Sequence, residues 1–269
     1  MKIVMWINGE ANQKALSNKI HALFPLTGIV IENRLPKRKI TVSRVFEKVI
    51  EKLMLGSISK AWVEMLDFYE HSFSQFPDVT KLKVSDINNG QVLAFTRALD
   101  PDLIIVSGTS LIKNELLSLK AKIGIINLHT GLSPYLNGGP NCTNWCIANN
   151  EFHLIGNTVL WIDAGIDSGN IIATETSRFD GSEDLSAVHI KVMEHAHHLC
   201  MKAVSHLEAG GNSNHPQSEI GSGRTFYSRQ WNLKEKMRLV KNFKNFGKEI
   251  NSERISKLRS SLKMVSIDN

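Results

Sequence analysis

Short apolar runs alternate with polar turns and with stretches of helical apolar spacing along most of this chain. Lys2-Ile3-Val4-Met5-Trp6-Ile7 is the first run, and Asn8-Gly9-Glu10-Ala11-Asn12 is the turn that ends it. Ala15, Leu16, Ile20 and Leu23 then share one helical face over 13–23. A second strand is expected at 27–31. The unbroken apolar run within 102–107 predicts a strand covered on both faces. Two more β-rich runs lie at 124–126 and 157–162. Helices are expected at 90–99, after the Gly108-Thr109-Ser110 loop as far as 119, and at 183–207. Extended residues 84–88 lead into helix 90–99, with Asp86 or Asn88 as its N-cap. Strands alternating with helices predict an α/β layer structure around a doubly wound, mostly parallel sheet.

Two segments depart from that alternation. Residues 41–76 read as two helices broken near Gly56-Ser57. Their apolar positions (Val45, Phe46, Val49, Ile50 and Leu53, then Trp62, Met65, Leu66 and Tyr69) dock on the core or on a second subunit. Beyond 207, residues 210–224 are rich in Gly, Ser and Asn and are expected to be mobile, and 224–227 is a short extended piece. Residues 230–262 read as basic amphipathic helix, with Leu233, Met237, Val240, Phe243, Ile250, Ile255, Leu258 and Leu262 on its apolar side. The expected organisation is a main domain over 1–207, with a helical insertion at about 41–80, and a linker and basic helical extension over 208–269.

Composition narrows the classes. The chain has 269 residues, 42% hydrophobic and 22% charged, which suits a packed core and not bulk disorder. The first residues read as a strand and not as a leader peptide. No apolar run approaches the roughly 18 residues of a membrane span. Cys142, Cys146 and Cys200 cannot all pair, and a reducing, cytoplasmic compartment is the simpler expectation. From Arg229 onward there are 11 Lys/Arg against 4 Asp/Glu, and 21 against 22 elsewhere, so the net charge of +6 belongs to the extension. A polyanion could be attracted there. Trp231, Phe243 and Phe246, however, have the spacing of packing residues and not of a stacking platform, so nucleic acid is not the expected partner.

The stretch 125–172 carries the candidate chemistry. Asn127 and His129 leave the 124–126 strand with alternate side chains on one face. The loop Asp163-Ala164-Gly165-Ile166-Asp167-Ser168-Gly169 follows the strand at 157–162. Two strands ending in polar loops at the same sheet edge would let an amide, an imidazole and a carboxylate converge. Each feature alone has a plainer explanation: a loop cap for Asn127 and His129, a turn or weak cation site for the Asp loop. That loop lacks the downstream bidentate Glu of an EF-hand. Cys142 and Cys146 read as buried thiols. His195, His197, His198 and Cys200 read as a solvated helix face, so no metal is expected. The turn after the first strand could hold an anion at a helix N-terminus, but Glu10 argues against a bare phosphate.

Taken in order, Asn127-x-His129, the Pro134-Tyr135-x-x-Gly138 loop, Gly156-x-Thr158-Val159 and Asp163-x-Gly165-x-Asp167-x-Gly169 resemble the folate-dependent formyltransferase family. That family includes methionyl-tRNA, glycinamide ribonucleotide and sugar-nucleotide N-formyltransferases. The Asn8-Gly9-x-x-Asn12 turn resembles the glycinamide ribonucleotide type. The resemblance covers roughly 2–175 and implies a Rossmann-like sheet, the formyltransferase fold. It departs after His129: the family's Pro-Ser-Leu-Leu-Pro is replaced by Thr130-Gly131-Leu132-Ser133-Pro134, and Asn137 stands before the loop glycine where Arg or Pro is usual. These changes bear on the acceptor and not on the formyl chemistry.

The resemblance implies transfer of formyl from 10-formyltetrahydrofolate, without metal, by Asn127, His129 and Asp167. It implies a folate cleft between Gly108, Thr109, Ser110, Leu111 and Ile112 on one side and Ile162, Asp163, Ala164, Gly165 and Ile166 on the other. Asn8, Gly9, Asn12, Tyr135, Asn137 and Gly138 are the candidate substrate contacts. The helical extension fits the sugar-nucleotide branch, whose extensions often dimerise. The expected acceptor is therefore a nucleotide-linked amino sugar destined for surface polysaccharide. Transfer to methionyl-tRNA or glycinamide ribonucleotide, formyltetrahydrofolate hydrolysis, and non-catalytic folate or sugar binding are the alternatives.

Overall fold

The computed structural model describes residues 1–34 and 55–267. The basic turn at 36–39 and the first of the two helices expected in 41–76 lie outside these residues. Parallel strands β1 (Ile3–Asn8), β2 (Leu26–Glu32), β3 (Thr80–Val84), β4 (Leu103–Ser107) and β5 (Gly124–His129) stand in the order β3-β2-β1-β4-β5. The sheet is completed by β7 (Gly156–Trp161) and β8 (Ile171–Thr176), both antiparallel to their neighbours, in the order β5-β7-β8. β6 (Leu136–Gly138) and β9 (Arg224–Phe226) form a separate parallel pair.

Alternation along the strands sorts side chains onto two covered faces. Met5, Ile7, Ile105, Ile126 and Leu128 pack on one face against Leu16 and Ile20 of α1 (Ala11–Leu23) and against Leu199 and Ala203 of α6 (Leu185–Glu208). Val4, Trp6, Ile104, Val106 and Ile125 pack on the other with Val92 of α3 (Gly90–Leu99), Ile112, and Leu116 of α4 (Asn114–Leu117). Each fully buried aliphatic side chain contributes about 1.5–3 kcal/mol relative to exposure. Trp6 keeps its polar atom satisfied by donating Nε1–H to Thr96 Oγ1 at 3.2 Å.

Beyond Glu208 the chain forms α7 (Gln217–Ile220), β9, α8 (Leu233–Phe243), α9 (Phe246–Glu249) and α10 (Glu253–Ser260). Leu239, Phe246, Ile250 and Ile255 share an apolar cluster with Trp145 of α5 (Cys142–Ala148), Phe152, Phe179 and Leu185. The single helix expected over 230–262 is therefore three. Asn232 and Ser252 N-cap the first and the last of these, accepting from Glu235 N and Ile255 N. Residues 210–224, expected to be mobile, lie along the β7–β8 hairpin: Ile171 and His215 exchange two backbone hydrogen bonds, and Trp161 Nε1 donates to Ser213 O at 2.9 Å. Among the described residues no helix is long and apolar enough to cross a membrane.

Other expectations are corrected by burial. The stretch read as extended, 84–88, is extended only at its start, since strand β3 spans 80–84, and α3 is capped by Asn89, which accepts from Gln91 N, and not by Asp86 or Asn88. The histidines of α6 do not share a solvated face. His198 is exposed and His195 bonds Glu175 and Ser177, but His189 and His197 are buried under α1 and α2 (Gly56–Ser72). His189 packs on Trp62, and His197 packs on Tyr69 beside Lys19.

Burial holds both rings neutral. The His189 pKa falls to about 4, and that of His197 falls to about 3 through burial and the Lys19 charge. Folded-state values below the unfolded 6.5 mean that stability is fully present above pH 6.5 and is lost as pH falls from there towards 4. Each ring contributes up to about 1.4 kcal/mol per pH unit in that window. Denaturant melts from pH 7 to pH 4.5 should therefore show a shallower loss in the His189→Gln/His197→Gln variant than in the parent chain.

Candidate active site

Two segments bring three polar groups to Asp167. Asn127 and His129, at alternate positions near the end of β5, project from the face that also carries Ile125. Asn127 Nδ2 donates to Asp167 Oδ1 at 3.1 Å, and His129 Nδ1 lies 3.3 Å from Asp167 Oδ2. Gly138 N–H donates to the same Oδ2 at 2.9 Å. Asn127, His129 and Asp167 thus form one cluster, with the His129 and Asp167 side chains only 8% and 14% exposed.

The route differs from the expected one. β7 runs antiparallel to β5, pairing Thr158 with His129 and Trp161 with Ile126, so the two strands end at opposite edges. Residues 162–170 form the β7–β8 hairpin loop, and it folds back over the β5 face to deliver Asp167. Asp167 makes this turn in the left-handed region, at φ 50°, which Asp tolerates better than most residues. Gly169 permits the tight return, because a Cβ there would overlap Trp161 O.

The other side of the His129 ring is occupied by protein. Nε2 lies 3.3 Å from Leu136 O and 3.6 Å from Cys142 Sγ. Cys142 also lies 3.4 Å from Gly138 O, and burial pushes its thiol well above the usual range, so it is held as a neutral thiol beside the ring. Gly131 passes so close that a Cβ would overlap His129 Nε2. The loop is stiffened by Thr158, whose Oγ1 donates to Gly131 O at 2.8 Å and accepts from Ser133 N at 3.0 Å.

The two loops assigned to folate lie on the same face. Gly108, at φ 68°, leaves β4 beside Asn8, and its carbonyl accepts from Arg34 Nη2 at 2.7 Å. Glu32, buried at the end of β2, accepts from Ser110 N at 2.7 Å, Ile87 N at 3.0 Å and Arg34 Nε at 2.9 Å. Burial alone would raise the Glu32 pKa, but these donors outweigh it and hold the carboxylate below its ordinary value. Thr109 lies between these anchored residues. Leu111 O accepts from Asn88 Nδ2, and Ile112 is buried in the core. Across the site, Ile162 packs on the core, and Asp163 closes its own loop by accepting from Gly165 N and Ser168 Oγ. Ala164 is exposed. Leu111 and Ile166, one on each loop, are 52% and 37% exposed. Backbone-rich walls bearing exposed aliphatic groups fit a flat, partly apolar pterin.

Several candidate substrate contacts have other work. Asn8 closes its turn by accepting from Glu10 N at 2.9 Å, and Gly9 is required because a Cβ would overlap Asn33 Oδ1. Asn12 is buried under α6 with its amide on Met193 Sδ, so it is a packing residue. Tyr135 is also removed from the substrate set: its hydroxyl donates to Lys263 O and accepts from Lys263 N, pinning the extension. Asn137 accepts from Ser133 Oγ at 2.6 Å and reaches Gln217 Oε1 at 3.4 Å. Gly138 is a glycine because β9 lies against it, and a Cβ would overlap Phe226 O. Glu32, Arg34 and Gln217 have no motif that would single them out in the sequence, whereas Cys142 carried only the signal of a buried thiol.

A model of the formyl transferase family matches residues 67–204, just over half of the chain. A methionyl-tRNA formyltransferase from Clostridium tetani is 30% identical over 118 residues, which are 44% of this chain but only 37% of that relative's length. A sugar N-formyltransferase from Shewanella superposes with a TM-score of 0.58 at 13% identity, over 90% of this chain and 88% of its own. An N-formyltransferase from Helicobacter canadensis, solved with folinic acid and dTDP-3-aminofucose, superposes with a TM-score of 0.56 at 14% identity, over 90% and 81%. The amide, imidazole and carboxylate gathered at Asp167 all lie within the matched residues, and the chain belongs to the formyl transferase family.

Proposed function

We propose that this chain transfers a formyl group from 10-formyltetrahydrofolate to the primary amine of a nucleotide-linked amino sugar. The observation that carries the chemistry is the single carboxylate shared by Asn127, His129 and Gly138. When the amine attacks the formyl carbon, negative charge grows on the formyl oxygen and positive charge on the attacking nitrogen. Asn127 uses one amide N–H on Asp167, and its second has no partner among the described residues, so it is the donor for that oxygen. Asp167 orients the His129 ring, and the pair accepts the proton from the amine and returns it to the departing folate nitrogen. His129 serves as a second donor to the oxygen once Nε2 leaves Leu136 O, a tightening commonly completed only with substrate in place. Cys142 is no nucleophile here, because a thiol held neutral does not attack.

The acceptor is read from the rest of the chain. The fold likeness to the Shewanella and Helicobacter canadensis sugar enzymes covers 90% of this chain, so it reaches beyond the sheet into the helical extension. Within that extension Phe246 is buried and Trp231 packs on Trp145, so these aromatics are not surfaces for bases. Such a reaction fits cytoplasmic synthesis of a sugar nucleotide for surface polysaccharide.

Incubation with 10-formyltetrahydrofolate and, in parallel, dTDP-, UDP- and GDP-linked amino sugars, glycinamide ribonucleotide and methionyl-tRNA tests both parts. A mass gain of one formyl group on a sugar nucleotide is expected. Gain only on glycinamide ribonucleotide or methionyl-tRNA overturns the acceptor, and formate release without an acylated amine makes the chain a hydrolase. Asn127→Ala and Asp167→Asn should each lower kcat by about 10²–10³-fold, the usual loss for one oxyanion donor or its partner. Gly131→Ala should also depress kcat steeply, since its added methyl meets both His129 Nε2 and Cys142 Sγ, and the same overlap should lower the melting temperature.

A further inference from the structure

We infer that Gln217, from the extension outside the family-matched residues, is a positioning residue for the Asp167 carboxylate. This rests on Asp167 acting as proposed above. Gln217 opens α7, and its Nε2 donates to two carbonyls of the returning hairpin loop, Asp167 O at 2.7 Å and Gly169 O at 2.8 Å. Its Oε1 faces Asn137 Nδ2 at 3.4 Å. One side-chain amide therefore joins the loop that carries Asp167 to the loop that carries Gly138, the two whose polar groups meet at Oδ2.

The need for such a clamp follows from the backbone. Asp167 is in the left-handed region at φ 50°, a conformation costly for a residue with a Cβ unless its surroundings fix it. Its carboxylate reaches Asn127 and His129 only while that turn is held. The hydrogen bonds of the carboxylate hold the side chain and not the backbone turn itself. The two carbonyls flanking Ser168 are the handles left, and Gln217 takes both. Its own place is fixed upstream, where the backbones of His215 and Ile171 exchange two hydrogen bonds. Asn or Ala at 217 would not span the gap, and Glu would set a carboxylate against two carbonyl oxygens.

The full-length enzyme is assayed with 10-formyltetrahydrofolate and the amino-sugar nucleotide it accepts, and folinic acid is titrated separately as a binding probe. Gln217→Ala and the near-isosteric Gln217→Met should lower kcat about 10- to 50-fold, the scale of a sub-ångström displacement of a reacting group. KM and the folinic acid Kd should stay within about threefold in both variants, and Gln217→Glu should be at least as slow as Gln217→Met. Asn214→Ala, which loosens the same segment without touching Asp167, should keep kcat within about twofold of the parent. If Gln217→Ala fails to fold, the Met variant carries the test, because it fills the same volume and lacks only the donors. Full activity in Gln217→Met, or an Asn214→Ala defect equal to that of Gln217→Met, overturns the inference and reduces Gln217 to packing. Full activity in Asp167→Asn would instead overturn the catalytic reading on which it rests.

Discussion

A carboxylate held by three groups from two chain segments sets the terms for this site. Asp167 lies within hydrogen-bonding range of the Asn127 amide, the His129 ring and the Gly138 backbone. None of these donors is adjacent to it in sequence, so other elements must carry them there. β5 supplies two through simple alternation, and the short β6–β9 pair supplies the third. Desolvation makes the arrangement demanding, because a buried carboxylate deprived of its donors costs far more than each bond contributes when made. The cluster therefore forms as a unit or not at all.

The change from parallel to antiparallel pairing at β5–β7 is what allows a hairpin to deliver the acid. A parallel β7 would have carried its following loop to the far edge, where a helix normally begins. The antiparallel return sends the 162–170 loop along the face of β5, at the level of Asn127. The strand pairing thereby places the amide, imidazole and carboxylate on a sheet face beside the open edge. Folding back also sets Asp167 within reach of a residue from the extension, and Gln217 uses that proximity. Sheet topology, backbone conformation and proton chemistry are linked through one loop.

Much of this was legible in the sequence where burial is uniform. β1 and β4 are covered on both faces and read as unbroken apolar runs, and α6 shows a long helical period. β3 was displaced in the reading because Thr80, Lys81 and Lys83 sit on an edge strand that buries little. The antiparallel return was hidden because α5 lies between β5 and β7, and a helix between strands usually signals a parallel crossover. The spacing of Asn127, His129 and Asp167 pointed to one cluster, but the partners of Tyr135, Asn12 and Gln217 are distant in sequence and had no local signal. The histidines of α6 were misplaced for a related reason. Period locates the faces of a helix, but which face is covered depends on α1 and α2, and orphan imidazole nitrogens left under those helices follow no pattern in sequence.

The β6–β9 ladder changes the meaning of the stretch between Gln217 and Arg224. Its glycines and serines have the look of filler, yet both of its ends are fastened, one to the hairpin loop and one to Leu136. Gly223 runs so close to the carbonyls of Pro134 and Tyr135 that no side chain fits. The stretch behaves as a measured spacer: adding or deleting a single residue would throw the ladder out of step and turn its side chains to the wrong side. What is constrained there is a count and not a composition, so a change in length would reach the Asp167 cluster where many changes in identity would not.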